Sequence, residues 1–356
     1  MSAPPFGIPV STSLAIAIVL AAVSLGFLAA RAVRRAAHEG VRHGAANLFR
    51  LLAGRLAGHV AADSLLDAAR ETHSSAFWGA IEAITHTLRR RERLELARSL
   101  ARSRHLVAER RALRLFEAPE RSELAARRLG LLPTARSRRA LRHALARGPE
   151  AVRLAAARSL ARHRDLAALR WLLANPSLLA SRPIPALSGL LRAFGPGARA
   201  TLIRALEQGV AEPRLECAIL DALGLSRCRS ARERIERCLR GGKLEVRIAA
   251  ARALGRLGMG ESIPSLLPAL ADEAWAVRAQ SAHALGRLRA TPAVEALAAR
   301  VADRSWWVRH HAAYALVALG SEGRDALCDV VVNSPDGFAR EMAREALDRG
   351  AARRSA

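Results

Sequence analysis

The chain has 356 residues, enough for one large domain or an array of repeats, and a net charge of +25. Such a charge ordinarily indicates nucleic acid or an anionic surface as partner. However, Lys243 is the only lysine, and an arginine excess of this kind also reflects genomic base composition, so the charge excludes few partners. A composition of 51% hydrophobic and 4% aromatic residues is typical of a stack of alanine- and leucine-rich helices.

The cysteines form no C-x-x-C pair and have no histidine at zinc-binding spacing, which argues against a structural zinc site. We expect Cys217, Cys228, Cys238 and Cys328 to be reduced thiols of a helical core, which fits a cytoplasmic location. No carboxylate pair, glycine-rich phosphate loop, Ser-His-Asp order or metal motif stands out. The sequence therefore predicts no cofactor and no enzymatic activity.

An uncharged apolar run, residues 10–30, follows a short N-terminal segment of residues 1–9. As a helix it would reach about 32 Å, enough for the ~30 Å hydrocarbon core of a bilayer. Arg31, Arg34 and Arg35 follow with no basic residue ahead of the run. The positive-inside rule then predicts a single-pass anchor in the inner membrane, with the N-terminus outside and the rest in the cytoplasm. A cleaved signal peptide is the alternative, but it normally has basic residues first.

Residues 31–118 are predicted to be a helical juxtamembrane region. Its apolar spacing predicts four helices, over residues 45–56, 60–70, 77–88 and 94–115. Arg89, Arg90 and Arg91 would then lie in the last turn of the third helix, where positive charge is favourable against the helix dipole and beside anionic lipid. We interpret the region as diverged helical hairpins that join the anchor to the repeats. A separate small helical domain is the alternative.

One pattern recurs three times between residues 244 and 320, and the valines that mark it, Val246, Val277 and Val308, are 31 residues apart. Weaker copies lie on both sides of these three, starting at Arg121, Val152, Ala186, Leu215 and Ala339. About eight units therefore cover residues 119–350, and a fixed period of this length indicates a solenoid. Residues 351–356 are predicted to be a loose tail.

Each unit is predicted to contain two helices. From the valine, the apolar positions follow one helical stripe, and alanines at positions +3, +4 and +7 let neighbouring helices approach closely. Glycine at position +9 is expected to loosen or end the helix. A shorter apolar helix such as 263–270 comes first, followed by a turn that contains Asp272 or Asp303. No unit can bury its stripe alone, so the units must stack.

This order of helix, aspartate-containing turn and Val-Arg-x-Ala-Ala-x-x-Ala-Leu-Gly resembles HEAT repeats, especially the short HEAT-like repeats of the phycobilin lyases. The resemblance extends over residues 120–350 and is tight over 243–320. It implies an all-α protein whose repeats form a right-handed α-solenoid. The transmembrane helix predicted over residues 10–30 would precede this solenoid. The resemblance also implies that the Val-Arg helices line the concave side. It implies no single activity, because this scaffold serves many.

The arginine that follows the valine is expected to be structural. In HEAT-like stacks this arginine and the aspartate before it commonly form a ladder between repeats. The residues in these places are Arg153, Arg247, Arg278, Arg309 and Arg340, with Asp272 and Asp303. Leu187 and Glu216 replace the arginine in two units, where we expect the ladder to be weak.

Positions +2, +6 and +10 of the Val-Arg helices are not used by the stripe, so we expect them to face the concave surface. They supply most of the basic residues of a predicted groove, namely Arg158, Arg162, Arg252, Arg256, His283 and Arg287. Toward its end the groove becomes aromatic and histidine-rich. Arginine suits an acidic protein segment, because its guanidinium pairs bidentately with carboxylates.

Trp307 lies at position −1, which is small or polar in the two preceding units, so we expect it to be exposed. Trp307, His310, His311 and Tyr314 form the candidate binding hot spot, because Trp, Tyr and Arg that become desolvated on binding dominate such patches. A local packing cluster is the alternative interpretation. Trp275 and Trp306, both at position −2, are expected to pack between repeats.

These observations predict a membrane-anchored cytoplasmic scaffold that binds a protein partner through its basic, partly aromatic concave face, and the bilayer through residues 10–30. An accessory subunit of an inner-membrane polysaccharide glycosyltransferase or secretion complex is an alternative of the same class. Nucleic-acid binding by the arginine groove is an alternative of another class, against which the membrane tether argues. An enzyme resembling a bilin lyase or a DNA glycosylase is the third alternative, without an active-site signature.

Overall fold

A computed structural model describes residues 43–116, 118–179 and 182–355, and every regular element in these ranges is a helix. The predicted anchor at residues 10–30 and its flanking Arg31, Arg34 and Arg35 lie outside the described residues. Within the described ranges, no helix is both long and apolar enough to cross a bilayer. The chain divides into two compact units, one that ends at Ala144 and one that starts at Leu145.

The first unit is built of short helices that alternate with tight turns. The helices are residues 43–56 (α1), Ala62–Glu71 (α2), Ser74–Thr85 (α3), Arg90–Ser99 (α4), Arg104–Leu115 (α5), Pro119–Leu129 (α6) and Ala135–Arg147 (α7), the last of which crosses the unit boundary. At the centre, the buried Phe77 packs edge-on against Trp78 and stacks on the imidazole of His105 at 4.2 Å. Leucines from α1, α2, α4 and α5 complete this core.

Two predictions for this unit are wrong. The single helix predicted over 94–115 is α4 followed by α5, because the Ser103 side chain accepts the Leu106 backbone N–H and caps a new helix there. The helix predicted over 77–88 ends at Thr85, so residues 89–91 lie at the start of α4. Positive charge is unfavourable at that end. The Glu92 carboxylate offsets it by accepting the Arg89 backbone N–H at 2.7 Å.

The second unit consists of helical hairpins in two layers. The first layer contains the Val-Arg helices: α8 (Glu150–Arg162), α10 (Ile184–Ala193), α12 (Pro213–Leu225), α14 (Leu244–Leu257), α16 (Trp275–Leu288), α18 (Trp306–Ala318) and α20 (Gly337–Ser355). The second layer contains the shorter partners: α9 (Leu166–Ala174), α11 (Arg199–Gln208), α13 (Arg232–Gly241), α15 (Ile263–Ala269), α17 (Val294–Arg300) and α19 (Ser321–Asn333). Each Val-Arg helix packs against the next one of its layer. The predicted stack of two-helix units is confirmed, and its hand stays a prediction.

The repeated valines, alanines and leucines form the core between the layers. Val246, Val277 and Val308 are at most 1% exposed, and the leucine eight residues after each of them is fully buried. Each such leucine or valine contributes roughly 1.5–3 kcal/mol through burial. The last helix, α20, continues to Ser355 and so includes most of the segment predicted to be a loose tail.

We expected the glycine at position +9 to loosen or end the helix. In the structure it does not end the helix, and it lets two neighbouring helices approach each other. A Cβ atom on Gly255 would lie 2.9 Å from the Cα atom of Ala284, and one on Gly286 would lie 2.8 Å from the Cα atom of Ala315. Real Cβ atoms do not come so close to backbone, so only glycine fits. The helix α14 ends instead at Gly258, whose φ of 72° lies in the left-handed region.

Candidate functional site

The arginines after the repeat valines hold the turns between units. Arg247 donates to both carboxylate oxygens of Asp272 at 2.9 and 3.0 Å, and Arg278 to both of Asp303 at 2.8 Å. The aspartate that accepts is the one that follows the arginine in sequence. The preceding turn supplies backbone acceptors, such as the Asp272 carbonyl, 2.9 Å from Arg278 Nη1. Each arginine therefore ties its own turn to the next one.

The remaining arginines of this series bond differently. Arg309 donates to the Asp303 carbonyl at 3.0 Å and lies over the Phe338 ring, while Arg340 donates to the Ser334 carbonyl at 2.7 Å. Arg153 donates to the Leu145 carbonyl at 3.1 Å and lies over the Trp171 ring. In this series, bonds to the turn carboxylates are thus made by Arg247 and Arg278, whereas Arg153 and Arg309 make cation–π contacts instead.

The hydrogen bonds between the ladder arginines and aspartates shift the pKa values of Arg247, Arg278 and Asp303. Burial alone would raise the pKa of the Asp303 carboxyl, but hydrogen bonds from Arg278 and from the Ser305 backbone N–H outweigh burial and lower it. The same bond to Asp303 raises the pKa of Arg278, and the bond to Asp272 raises that of Arg247. The Arg278–Asp303 pair is therefore ionised in the folded protein at neutral pH.

A cavity of about 270 Å³ lies across α14, α16 and α18, and we call it the groove cavity. Its polar lining residues are Arg252, Arg256, Gln280, His283, Arg287 and His311. The structure thus brings together four residues of the predicted groove and one of the predicted hot spot. Arg158 and Arg162, also assigned to the groove from the sequence, lie on α8 and do not line this cavity.

Positive charge dominates the groove cavity. Arg256 Nη1 lies 2.8 Å from Asp221 Oδ1, and Arg252 Nη1 lies 3.9 Å from the same oxygen. Arg287 Nε donates to the Gly255 carbonyl at 3.3 Å. The cavity therefore has three guanidiniums and only one buried carboxylate nearby, that of Asp221. The charge excess leaves N–H groups available for an incoming anion.

The predicted hot spot is a connected set of rings, which we call the aromatic cluster. Trp306 stacks on His310 at 4.9 Å and meets Trp307 edge-on at 4.9 Å. His310 lies 4.4 Å from the Tyr314 ring and 5.5 Å from the His311 ring. His311 in turn lies 5.4 Å from His283. The aromatic cluster therefore continues into the groove cavity through His311.

The histidines of this region are neutral at neutral pH. Burial, then the charge of His283 and His310, lowers the pKa of His311 to about 4. Burial also lowers the pKa of His310, and burial followed by Arg287, Arg256 and Arg252 lowers that of His283. The positive charge of the surface thus comes from arginine alone, and the imidazoles serve as neutral hydrogen-bonding and stacking groups.

The prediction that Trp275 and Trp306 pack between repeats is wrong. Their exposed fractions are 49% and 46%, and Leu244 at the same repeat position is 42% exposed. These residues are the first of α14, α16 and α18, so they precede the turn that packs on the neighbouring helix. Leu244, Trp275 and Trp306 are therefore exposed apolar side chains at equivalent positions of successive units, and Trp306 is part of the aromatic cluster.

Sequence reasoning missed three residues of the site. Asp221 pairs with the groove arginines, Gln280 lines the groove cavity 3.5 Å from Arg252 Nε, and Arg349 donates to the Tyr314 hydroxyl at 3.0 Å. The signal for them was present in the repeat. Counting from the first position of their units, they lie at +6, +3 and +10. Asp221 and Arg349 belong to the weaker copies that start at Leu215 and Ala339, and the predicted groove included no residue of those two copies.

The cysteines divide into two groups. Cys217, Cys228 and Cys238 are buried, whereas Cys328 on α19 is exposed, contrary to the expectation that all four belong to the core. Burial raises the pKa of the Cys217 and Cys238 thiols to about 11. Among the residues that the structure describes, no three His, Cys, Asp or Glu side chains could together hold a metal ion.

Two layers of stacked hairpins with a charged and aromatic surface define the class of α-solenoid repeat proteins. The family model for HEAT repeats matches residues 200–275 and 263–348, so the chain is a HEAT-repeat protein in this segment. The curated proteins contain no significant match to the sequence.

Several solved structures are similar to the chain. Human deoxyhypusine hydroxylase in complex with glycerol is 18% identical, with 82% of this chain and 97% of that chain covered and a TM-score of 0.31. YibA of E. coli is 14% identical, with 81% and 96% covered and a TM-score of 0.36. Kap121p is 14% identical, with 84% of this chain and 42% of that chain covered and a TM-score of 0.35.

Proposed function

We propose that the protein is a scaffold that binds an acidic segment of a partner protein in the groove cavity. The observation that carries this proposal is the charge imbalance there. Asp221 lies near Arg252 and Arg256, whereas Arg287 donates to the Gly255 carbonyl. The cavity continues into the aromatic cluster through His311 and His283.

The geometry supports a side chain rather than a large cofactor as the occupant. The cavity volume of about 270 Å³ lies just below the usual range for small-molecule pockets, roughly 300–1,000 Å³. A carboxylate entering it would accept charge-assisted hydrogen bonds, which are about twice as strong as neutral ones. Trp307, 52% exposed, provides the apolar area that a neighbouring side chain of the partner would cover.

We further propose that residues 10–30 anchor the scaffold in the inner membrane with the repeats on the cytoplasmic side. The support is the uncharged apolar run and the three arginines Arg31, Arg34 and Arg35 that follow it. Tethering would raise the effective concentration of the groove for partners at the same membrane, such as subunits of an inner-membrane assembly.

The test is binding of a fluorescent glutamate-rich peptide, measured by anisotropy with the full-length chain in mild detergent. The variant Arg287→Gln/Trp307→Ala removes one groove arginine and one exposed ring. We expect its affinity to be at least about tenfold lower, because each lost charged or aromatic contact contributes roughly 1 kcal/mol or more. Melting temperature should be nearly unchanged, since both side chains are exposed.

The matched control is Arg240→Gln/Trp275→Ala, which makes the same chemical change at exposed positions that do not line the groove cavity. It should bind like the native chain. An equal loss of peptide affinity in both variants would show that binding depends only on the total charge of the protein, and it would contradict the proposal. A single-stranded oligonucleotide is the competitor. If it binds more tightly than the peptide, with a steep loss of affinity as salt rises, the groove recognises phosphate backbone instead.

A further inference from the structure

The first unit holds a cavity of about 450 Å³ between α5 and α7, which we call the four-arginine cavity. It is lined by Arg110, Arg114, Arg136, Arg139, Ala140 and His143. Arg110 and Arg114 are one turn apart on α5, and the lining residues of α7 follow the three- and four-residue spacing of one helix face. Two helix faces therefore direct four guanidiniums to a single space.

Among the described residues, no carboxylate compensates these charges. Glu109 is the single acidic residue of α5, but it is buried and bonds to Arg128 at 2.9 Å and to Arg121. The helix α7 contains no acidic residue at all. Within the described part of the chain, no carboxylate pairs with any of the four arginines that line the cavity.

Arg110 shows that this is a built feature and not a solvated surface. Its side chain belongs to the buried set, 9% exposed, and its Nη1 donates to the Ala101 carbonyl at 3.4 Å. Burial, followed by the charges of Arg136 and Arg114, lowers its pKa. A guanidinium nevertheless stays protonated in proteins, so the fold holds a buried cation beside other cations. Such an arrangement is unfavourable unless an anion neutralises it.

We infer that the four-arginine cavity binds a phosphate-bearing ligand with two or more negative charges. The planar guanidinium fork matches the oxygens of a phosphate group. Four guanidiniums provide more hydrogen-bond donors than a single carboxylate needs. The volume lies in the range of small-ligand pockets, roughly 300–1,000 Å³. Beside the cavity, Phe116 stacks on His143 at 6.0 Å and Leu115 is 50% exposed, so an organic group attached to the phosphate finds apolar contacts.

A soluble phosphorylated compound and a phospholipid headgroup share this chemistry. The probes are therefore inorganic pyrophosphate, measured by titration calorimetry, and vesicles of phosphatidylcholine with and without phosphatidylglycerol, measured by flotation. Both use the full-length chain. The variant is Arg136→Gln/Arg139→Gln, because these two side chains are exposed and their loss should leave the fold intact. Its melting curve checks that point.

Arg237→Gln/Arg240→Gln is the matched control, with two exposed arginines at the same three-residue spacing on α13. We expect pyrophosphate to bind the native chain and the control equally, and the Arg136/Arg139 variant about tenfold more weakly or not at all. If phosphatidylglycerol increases flotation of the native chain but not of the Arg136/Arg139 variant, the phosphate belongs to a lipid headgroup. If phosphatidylglycerol does not increase flotation, the phosphate belongs to a soluble ligand. Equal loss in the control, or no binding of either probe, overturns the inference.

Discussion

Each ladder arginine satisfies two turns at once, and this makes it a junction between repeats. Arg278 donates to the Asp303 carboxylate on one side and to the carbonyls of Asp272 and Glu273 on the other. Both Arg278 and Asp303 are nearly inaccessible to water, with 6% and 4% of their side chains exposed. A buried pair of this kind stabilises little against an apolar pair but costs much when broken.

Arg278→Ala should therefore destabilise the protein strongly. It leaves the buried Asp303 carboxylate without its bidentate partner, and the expected loss is about 3–5 kcal/mol in the free energy of unfolding. Arg252→Ala is the control, because that side chain is 37% exposed and lies 3.9 Å from its acid, so its loss should stay below about 1 kcal/mol. Urea unfolding of both variants measures this. A larger effect at Arg252 would contradict the structural role of the ladder.

Stability should also depend on pH through His311. Its pKa is about 4 in the folded protein, below the unfolded value near 6.5, so the unfolded chain binds the proton more readily. The contribution is then fully present above about pH 6.5 and is lost as pH falls toward 4. His311→Gln should remove a large part of this acid loss. Unfolding of the native chain and the variant at a series of pH values tests it, and parallel profiles would contradict the assignment.

At the scale of the helix, the repeat glycines decide how closely units stack. Gly224, Gly255 and Gly286 each face an alanine of the next Val-Arg helix, with a hypothetical Cβ between 2.8 and 2.9 Å from its Cα atom. Glycine within a helix normally destabilises it by about 0.5–1 kcal/mol relative to alanine. The chain accepts that cost because the buried alanines on the facing side can then pack backbone against backbone.

Gly255→Ala should consequently destabilise the protein by about 1–3 kcal/mol, since the new methyl group overlaps Ala284. Gly189→Ala on α10 is the control, because a Cβ there meets no atom within 4 Å and the residue is exposed. That control should gain about 0.5–1 kcal/mol from helix propensity alone. Thermal unfolding of the pair gives the comparison. Stabilisation by both substitutions would show that the helices do not approach at Gly255.

The helices that carry a strict repeat could be predicted from the sequence, and those without one could not. The 31-residue period and the apolar stripe place α14, α16 and α18 correctly, together with α15. In the first unit no period exists, so the apolar spacing of 94–115 hid the break that Ser103 introduces. Helix boundaries there depend on capping bonds rather than on periodicity.

The sequence predicts most of the residues of the candidate site but not the contacts between them. Repeat counting identifies Arg252, Arg256, His283 and Arg287 as neighbours. Which acid lies near Arg252 and Arg256 depends on distances between helices, and Asp221 comes from a weakly conforming unit. The exposure of Trp306 is likewise set by where the helix begins. Repeat counting gives the positions of these residues, but their pairing and exposure follow from three-dimensional placement.

At the scale of the whole molecule, the array explains why the site needs several consecutive units. In a solenoid each unit contacts only its neighbours, so a surface grows by adding similar helices side by side. The groove cavity takes residues from α14, α16 and α18, and Tyr314 of the aromatic cluster is held by Arg349 of α20. Four successive Val-Arg helices thus contribute to the proposed binding surface, and the proposed anchor would place it at a membrane.

The proposed topology can be tested with the cysteines. Cys328 is exposed while Cys217, Cys228 and Cys238 are buried, so a maleimide should label Cys328 alone. The raised pKa of the Cys217 and Cys238 thiols slows their reaction further. With the repeats in the cytoplasm, a membrane-impermeant maleimide should label permeabilised bacterial cells but not intact ones. Cys328→Ser should abolish the signal. Moving Arg31, Arg34 and Arg35 ahead of residue 10 should expose Cys328 in intact cells. Labelling of the native chain in intact cells would place the repeats on the other side.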